Sequence, residues 1–363
     1  MIDERLLKNE ERAVFNLRSL YRKYGYMPYR MSKFEEYELY IRNKDFLVSD
    51  RIITFNDTNG KLLALKPDVT LSIIRSGEDI PGTKQKVYYN ENVYRVSEST
   101  HRFKEIMQAG LECIGDVDIY DVYEVISLAA KSLAVISDNF VVEISHLGLI
   151  SSALEKICPD KLFCENAIKF ISEKNSHDLK KLCDEYSVSE SDAQKLISFV
   201  TAYGERNKVL AELSALFDGK ELDEMKELCA MLDNDEFSGR IRIDFSVVND
   251  MRYYNGFVFK GFLDGVCDGV LAGGQYDKMM QRMGRKSGAI GFAIYLDLLE
   301  QLETANDLNK VDVLLVYNDG VKASSVSAKV KEIIDSGRTV SVQKSVPDRL
   351  RYKEIIDMTK EGD

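Results

Sequence analysis

Twice along this 363-residue chain the hydrophobic period changes. Strand-like runs occupy much of the first 150 residues and return at Arg240. Between them, from residue 151 to about 239, nearly everything reads as short amphipathic helices: SALEKI, ENAIKFISEK, HDLKKLCDEY, SDAQKLISFVTAYG, KVLAELSALF and ELDEMKELCAML. The pattern is strands, helical insert, strands, then a small α/β tail. Strands joined by hairpins, with helices set apart, argue an α+β fold with an antiparallel core.

Within the first stretch, residues 3–24 have helical spacing and end at Gly25. RIITFNDTNGKLLALKP reads as two strands around Asn59-Gly60, a strong hairpin signal. Residues 67–76 read as a helix opening at Pro67. KVYYNENVYRV and HRFKEIMQAGLECIG are expected to pair antiparallel around a loop at residues 97–100, followed by a helix over 118–138 and the strand NFVVEISHLG. After the insert come RIRIDFSV, YYNGFVFKGFL and GVLAGGQYD as short strands, and GAIGFAIYLDLLEQLE reads as a helix. A polar linker at 306–310 leads to VDVLLVYND, VKASSVSAKVKEIIDSG and TVSVQ, one βαβ unit, with about twenty charged residues after it. The expected domains are therefore a core of 1–150 with 240–305, an insert of 151–239 and a tail of 311–363.

Charge excludes further classes. Lys and Arg number 49 and Asp and Glu 60, a net of −11, and residues 151–240 carry −7 of it. That disfavours a protein held on nucleic acid by bulk charge. No run approaches the roughly 20 apolar residues of a membrane helix, and MIDERLLKNEERAVF does not read as a secretory signal. The six cysteines are scattered with no C-x-x-C pair, and there are only three histidines. Reduced thiols in a cytoplasm, with no metal, are expected.

Four segments carry candidate chemistry. In VYRVSESTHRFKEIMQAGLE, Gln108 and Glu112 share one face of a strand and Arg95 stands on its neighbour. This is either the solvated face of a hairpin or a ligand floor with a carboxylate and an amide. In NDMRYYNGFVFKGF, a hairpin at Asn255-Gly256 accounts for most of the composition. It does not account for both Tyr253 and Tyr254, because a buried phenol needs a partner. Gly273-Gly274 in LAGGQYD permit close backbone approach but match no dinucleotide or phosphate-loop fingerprint. In LLALKPDVTLSIIR, Asp68 and Thr70 stand where a helix cap is the plain reading.

Taken in order, these segments resemble the catalytic core of a class II aminoacyl-tRNA synthetase, and most closely the histidyl-tRNA synthetases. KYGYMPYRMSKFEEYELY resembles the first motif, YRVSESTHRFKEIMQAGLECIG the second and GAIGFAIYLDLL the third. LKPDVTLSIIR resembles the L-R-P-E-x-T segment, and MRYYNGFVFKGF and LAGGQYD the two histidine-specific motifs. The tail resembles the first half of the anticodon-binding domain. The resemblance implies a histidine site in which Asp68, Thr70 and Gln108 meet the α-amino group, Glu112 and Tyr254 read the imidazole, and Arg95 and Tyr253 line the same cleft.

The departures point away from catalysis. Asn249 and Leu298 stand where the enzymes carry arginines, Ser97 where the partner of Arg95 is acidic, and Ser32 where the first motif has proline. Adenylate formation needs fixed cations around the triphosphate, and leucine offers none. One family keeps the histidine site and loses the ATP and tRNA machinery: the regulatory subunits of ATP phosphoribosyltransferase. The resemblance implies no catalytic residue and no cofactor in this chain. It implies a homodimer inside a hetero-octamer with a short catalytic subunit, with histidine as feedback effector and neither tRNA nor membrane as partner. A synthetase-like enzyme and a stand-alone histidine sensor remain the alternatives.

Overall fold

Helix α1 (Asn9–Lys23) buries Ala13, Val14, Leu17 and Tyr21 along one face and stops before Gly25, whose φ of +81° suits a residue without Cβ. The computed structural model describes residues 7–43, 52–96, 100–248, 253–302, 310–348 and 350–360. Ser97, Asn249 and most of the 306–310 linker lie outside the described residues. The chain divides into two units, Met1–Glu300 and Gln301–Asp363.

In the first unit α1 is followed by β1 (Met27–Pro28), β2 (Phe34–Glu36), α2 (Tyr37–Arg42), β3 (Thr54–Asn56), β4 (Leu62–Leu65) and α3 (Thr70–Ser76). Two long strands, β5 (Lys84–Val96) and β6 (Phe103–Gly115), then α4 (Ile119–Ile136) and β7 (Phe140–His146), complete the stretch before the insert. The insert is α5 (Leu147–Ile157), α6 (Lys161–Ser172), α7 (Ser176–Glu185), α8 (Glu190–Thr201), β8 (Tyr203–Gly204), α9 (Arg206–Ser214) and α10 (Lys220–Leu232). After it come β9 (Ile241–Asp244), β10 (Phe257–Leu263), β11 (Leu271–Gln275), α11 (Asp277–Arg282) and β12 (Gly288–Tyr295).

Nine strands form one sheet in the order β1-β5-β6-β12-β11-β10-β7-β9-β8. Its central pairs are antiparallel. β7 and β9 are parallel neighbours, and parallel strands need a long crossover. The helical insert is that crossover. One face of the sheet is covered by α4, which buries Val122, Val125, Ile126, Leu128, Ala129, Ala130 and Leu133. Tyr21 of α1 ties to it through Ser132 Oγ at 3.0 Å, and Tyr26 donates to Glu124 Oε1 at 3.2 Å. The opposite face carries α3 and α11. A separate three-stranded sheet, β2-β4-β3, includes the hairpin around Asn59-Gly60.

Three expectations are corrected. GAIGFAIY is strand β12, laddered between β6 and β11, and only residues Leu296–Leu302 turn into a 3-10 helix. A central strand apolar on both faces gives a continuous hydrophobic run, which periodicity cannot separate from a helix. Asn255-Gly256 makes no hairpin, because it leads into β10, whose partners are β7 and β11. The second unit contains β13 (Lys310–Val316), α12 (Ala323–Asp335), β14 (Val340–Gln343) and also β15 (Arg351–Asp357), a third parallel strand in the order β14-β13-β15. Among the described residues, no helix is long and apolar enough to cross a membrane.

Candidate functional site

Directly opposed residues on antiparallel strands share a face, so the register alone writes the floor of the site. Across five strands, Tyr89, Gly110, Ala293, Ala272 and Lys260 form one row. Beside it run Glu112, Gly291, Gly274 and Val258, and on the other side Gln108 stands next to Tyr295. Small residues keep the middle low. A Cβ on Gly291 would sit 1.8 Å from Glu112 Oε2 and 2.5 Å from the Leu111 carbonyl, and one on Gly110 would meet the Phe292 carbonyl at 2.3 Å. The result is a cavity of about 360 Å³ above the sheet, within the range of small-molecule sites.

All seven residues expected at the site line this cavity: Asp68, Thr70, Arg95, Gln108, Glu112, Tyr253 and Tyr254. Gln108 and Glu112 are 4% and 2% exposed, so the solvated-hairpin reading of β6 does not hold. Helix α3 delivers two of the others at its start. Asp68 Oδ1 accepts from the Leu71 N–H at 2.9 Å, so it caps the helix and faces the cavity at once. Thr70 does not cap; its hydroxyl donates to Glu112 Oε1 at 2.8 Å. Arg95 Nε donates to the Pro67 carbonyl at 3.0 Å, which holds its guanidinium beside Asp68.

Sequence reasoning missed Tyr276 and Lys260. The Tyr276 hydroxyl donates to Glu112 Oε2 at 2.6 Å, so each oxygen of this carboxyl accepts one O–H. The signal was present, since LAGGQYD places Tyr276 two residues past the strand's second glycine. Lys260 carries no such local signal, since its place at the cavity depends on β10 lying beside β11 in the sheet.

The electrostatics follow from burial. Desolvation pushes Glu112 up to about 8; the hydrogen bonds from Tyr276 and Thr70 oppose this and the nearby Asp68 adds to it. Burial also raises Asp68, against the pull of the Leu71 N–H and Arg95. Burial holds the phenols of Tyr253, Tyr254 and Tyr276 well above their ordinary range, so they remain neutral. Such a lining presents carboxyls, hydroxyls and an amide at one end, with Arg95 beside Asp68, and a lysine ammonium on β10. It suits a small polar ligand carrying its own positive charge. Among the described residues no group of His, Cys, Asp and Glu is arranged to hold a metal ion. Leu298 is half-buried on the 3-10 turn after β12 and is not among the cavity's lining residues.

Comparisons with known proteins agree with this geometry. A family model described as histidyl-tRNA synthetase matches residues 2–299. The chain is 30% identical over 332 residues to the ATP phosphoribosyltransferase regulatory subunit of Clostridium kluyveri, covering 83% of this chain and 81% of that protein. It is 26% identical over 313 residues to the protein of the same name from Oceanobacillus iheyensis, covering 84% and 77%. Two solved structures share the fold. One is an ATP phosphoribosyltransferase regulatory subunit/histidyl-tRNA synthetase from Bacillus halodurans, with a TM-score of 0.74 at 23% identity over 98% of this chain and 96% of that one. The other belongs to the ATP phosphoribosyl transferase (HisG:HisZ) complex from Thermotoga maritima, with a TM-score of 0.63 at 20% identity over 79% and 97%.

Proposed function

The chain belongs to the histidyl-tRNA synthetase family and, within it, to the ATP phosphoribosyltransferase regulatory subunits, and from that premise we propose that it switches a catalytic partner on and makes it answer to histidine. The partner is a short ATP phosphoribosyltransferase catalytic subunit, which condenses ATP with phosphoribosyl pyrophosphate. This chain performs no chemistry. It joins the partner as a homodimer within a hetero-octamer, in a cytoplasmic complex of histidine biosynthesis.

The observation that carries the reading is the meeting of seven motif residues around one cavity. Asp68, the Thr70 oxygen and the Gln108 amide oxygen accept from the ammonium of histidine. Glu112 and Tyr254 exchange hydrogen bonds with the two ring nitrogens, while Arg95 and Tyr253 close the sides. Leu298 supports the absence of adenylation, because it offers no fork of donors to a triphosphate. Feedback follows if histidine prefers the inactive state of the complex. A coupling of ~1–3 kcal/mol gives useful inhibition.

The test is the condensation reaction itself, run with the short catalytic subunit alone, with this chain added, and then with histidine. Activity is expected only with this chain, and it is expected to fall as histidine rises. A catalytic subunit indifferent to this folded chain would remove the proposal. ATP–pyrophosphate exchange dependent on histidine would instead favour the synthetase-like reading.

A further inference from the structure

We propose that Lys260 receives the α-carboxylate of the bound amino acid and so makes the cavity selective for an intact zwitterion; this rests on the reading that the cavity holds histidine. Lys260 lies on the cavity face of β10, in register with Ala272, Ala293 and Gly110 across three further strands. Three strand spacings, roughly 14 Å, separate its backbone from β6, and the residues between them are alanine, alanine and glycine. Nothing in that row stands between the lysine and the polar wall on the far side.

The two ends offer different groups, carboxyls and an amide at one and an ammonium at the other. Asp68 and Glu112 face the cavity from α3 and β6. Of the cations that line it, Arg95 is already engaged with the Pro67 carbonyl and sits beside Asp68. Lys260 is half-buried and, among the described residues, makes no hydrogen bond or ion pair. The acid opposite it on β7 is Glu143, whose carboxyl is surrounded by Asp244, Lys174, Tyr203 and Arg242. An ammonium held in a concave, partly dry site without a counter-ion is unfavourable until an anion arrives. An α-amino acid lying over the small-residue floor would satisfy both ends at once. Its ammonium would lie toward Asp68 and Gln108, its ring toward Glu112 and its carboxylate toward Lys260.

Calorimetric titration of the full chain with histidine and with histidinol, in which a hydroxymethyl replaces the carboxylate, tests this. The wild type is expected to prefer histidine by about ten-fold or more, as for a charge-assisted hydrogen bond in a shielded site. Lys260→Met is expected to lose most of that preference by weakening histidine alone, while Lys260→Arg retains it. A Lys260→Met protein that binds histidinol as the wild type does yet still prefers histidine by the same factor would overturn the assignment. So would a wild type that binds the two compounds equally, with the histidine site itself intact. A wild type that binds neither compound would overturn the reading of the cavity, and this inference with it.

Discussion

Glu112 is the residue on which the site turns, and its environment makes a claim about pH. Buried and accepting from Thr70 and Tyr276, it titrates near 8 when no ligand is present, because burial disfavours its anion. Below the ordinary glutamate value of 4.5 the carboxyl is protonated in both folded and unfolded chains and carries no differential cost. Between there and about 8 the unfolded chain ionises first, so this group lowers folding stability as pH rises through that window. Glu112→Gln removes the titration. In denaturant melts of the ligand-free protein the variant is expected to gain on the wild type as pH rises toward 8. The same variant is expected to bind histidine severalfold more weakly in calorimetry, because the amide cannot take a full ring proton. Gly291→Ala attacks the same carboxyl sterically, since the new methyl would overlap Glu112 Oε2 and crowd the Leu111 carbonyl. A loss of about 1–3 kcal/mol in a melt, together with loss of histidine binding, is the expected result. The seven motif residues were legible because alternation on β6 and the motif order name them. Tyr276 and Lys260 were not, because their roles depend on which strands become neighbours, and local spacing does not encode that.

At the level of elements, Glu112 is gripped from two directions, by Thr70 at the start of α3 and by Tyr276 just before α11. The far ends of these two helices are also joined. Asp79, past the end of α3, accepts from Arg285 Nε at 2.6 Å, from the Lys286 N–H at 2.8 Å and from the Ser287 hydroxyl. Arg285 also donates to the Ile74 carbonyl at 2.7 Å. The donors hold Asp79 down to about 2, so its contribution is present above the usual carboxylate range and is lost as pH falls toward 2. Asp79→Asn is expected to cost about 1 kcal/mol at neutral pH, the scale of a partly exposed charged cluster. Histidine affinity is expected to fall with it, because α3 and α11 would no longer be tied. Unchanged affinity would show that the clasp serves only stability. The strand β12 shows where reading by element failed. Its run of apolar residues and glycines has helical length, and only its pairing with β6 and β11 distinguishes it as a strand. The hairpin around Asn59-Gly60, the β5–β6 pair and the helices of the insert were legible, because each combines a local period with its own turn or cap residues.

For the whole molecule, the sequence reading of the tail stopped one strand early. RYKEIID is exposed at Arg351, Lys353, Glu354 and Ile355, and a charged edge strand resembles a polar terminus until its partner, β13, is known. The resemblance to class II cores carries a further expectation, a homodimer, and the surface gives it a physical basis. One face of the small sheet β2-β4-β3 presents Phe34 and Phe55 at 47% and 38% exposure, with the two rings in edge-to-face contact at 5.7 Å. Phe34 belongs to KYGYMPYRMSKFEEYELY, the segment that resembles the first class II motif. Contiguous aromatic area on a strand face is unfavourable in water and is commonly covered by a partner. A second copy of this chain is the expected cover, since an isologous contact lets one patch bury itself. Sedimentation velocity at micromolar concentration is expected to give a dimer for the wild type. Phe34→Glu with Phe55→Glu is expected to give a monomer with an unchanged far-ultraviolet circular dichroism spectrum, because four like charges would oppose one another across the two-fold axis. If the doubly charged variant sediments as the wild type does, the small sheet is not the dimer surface.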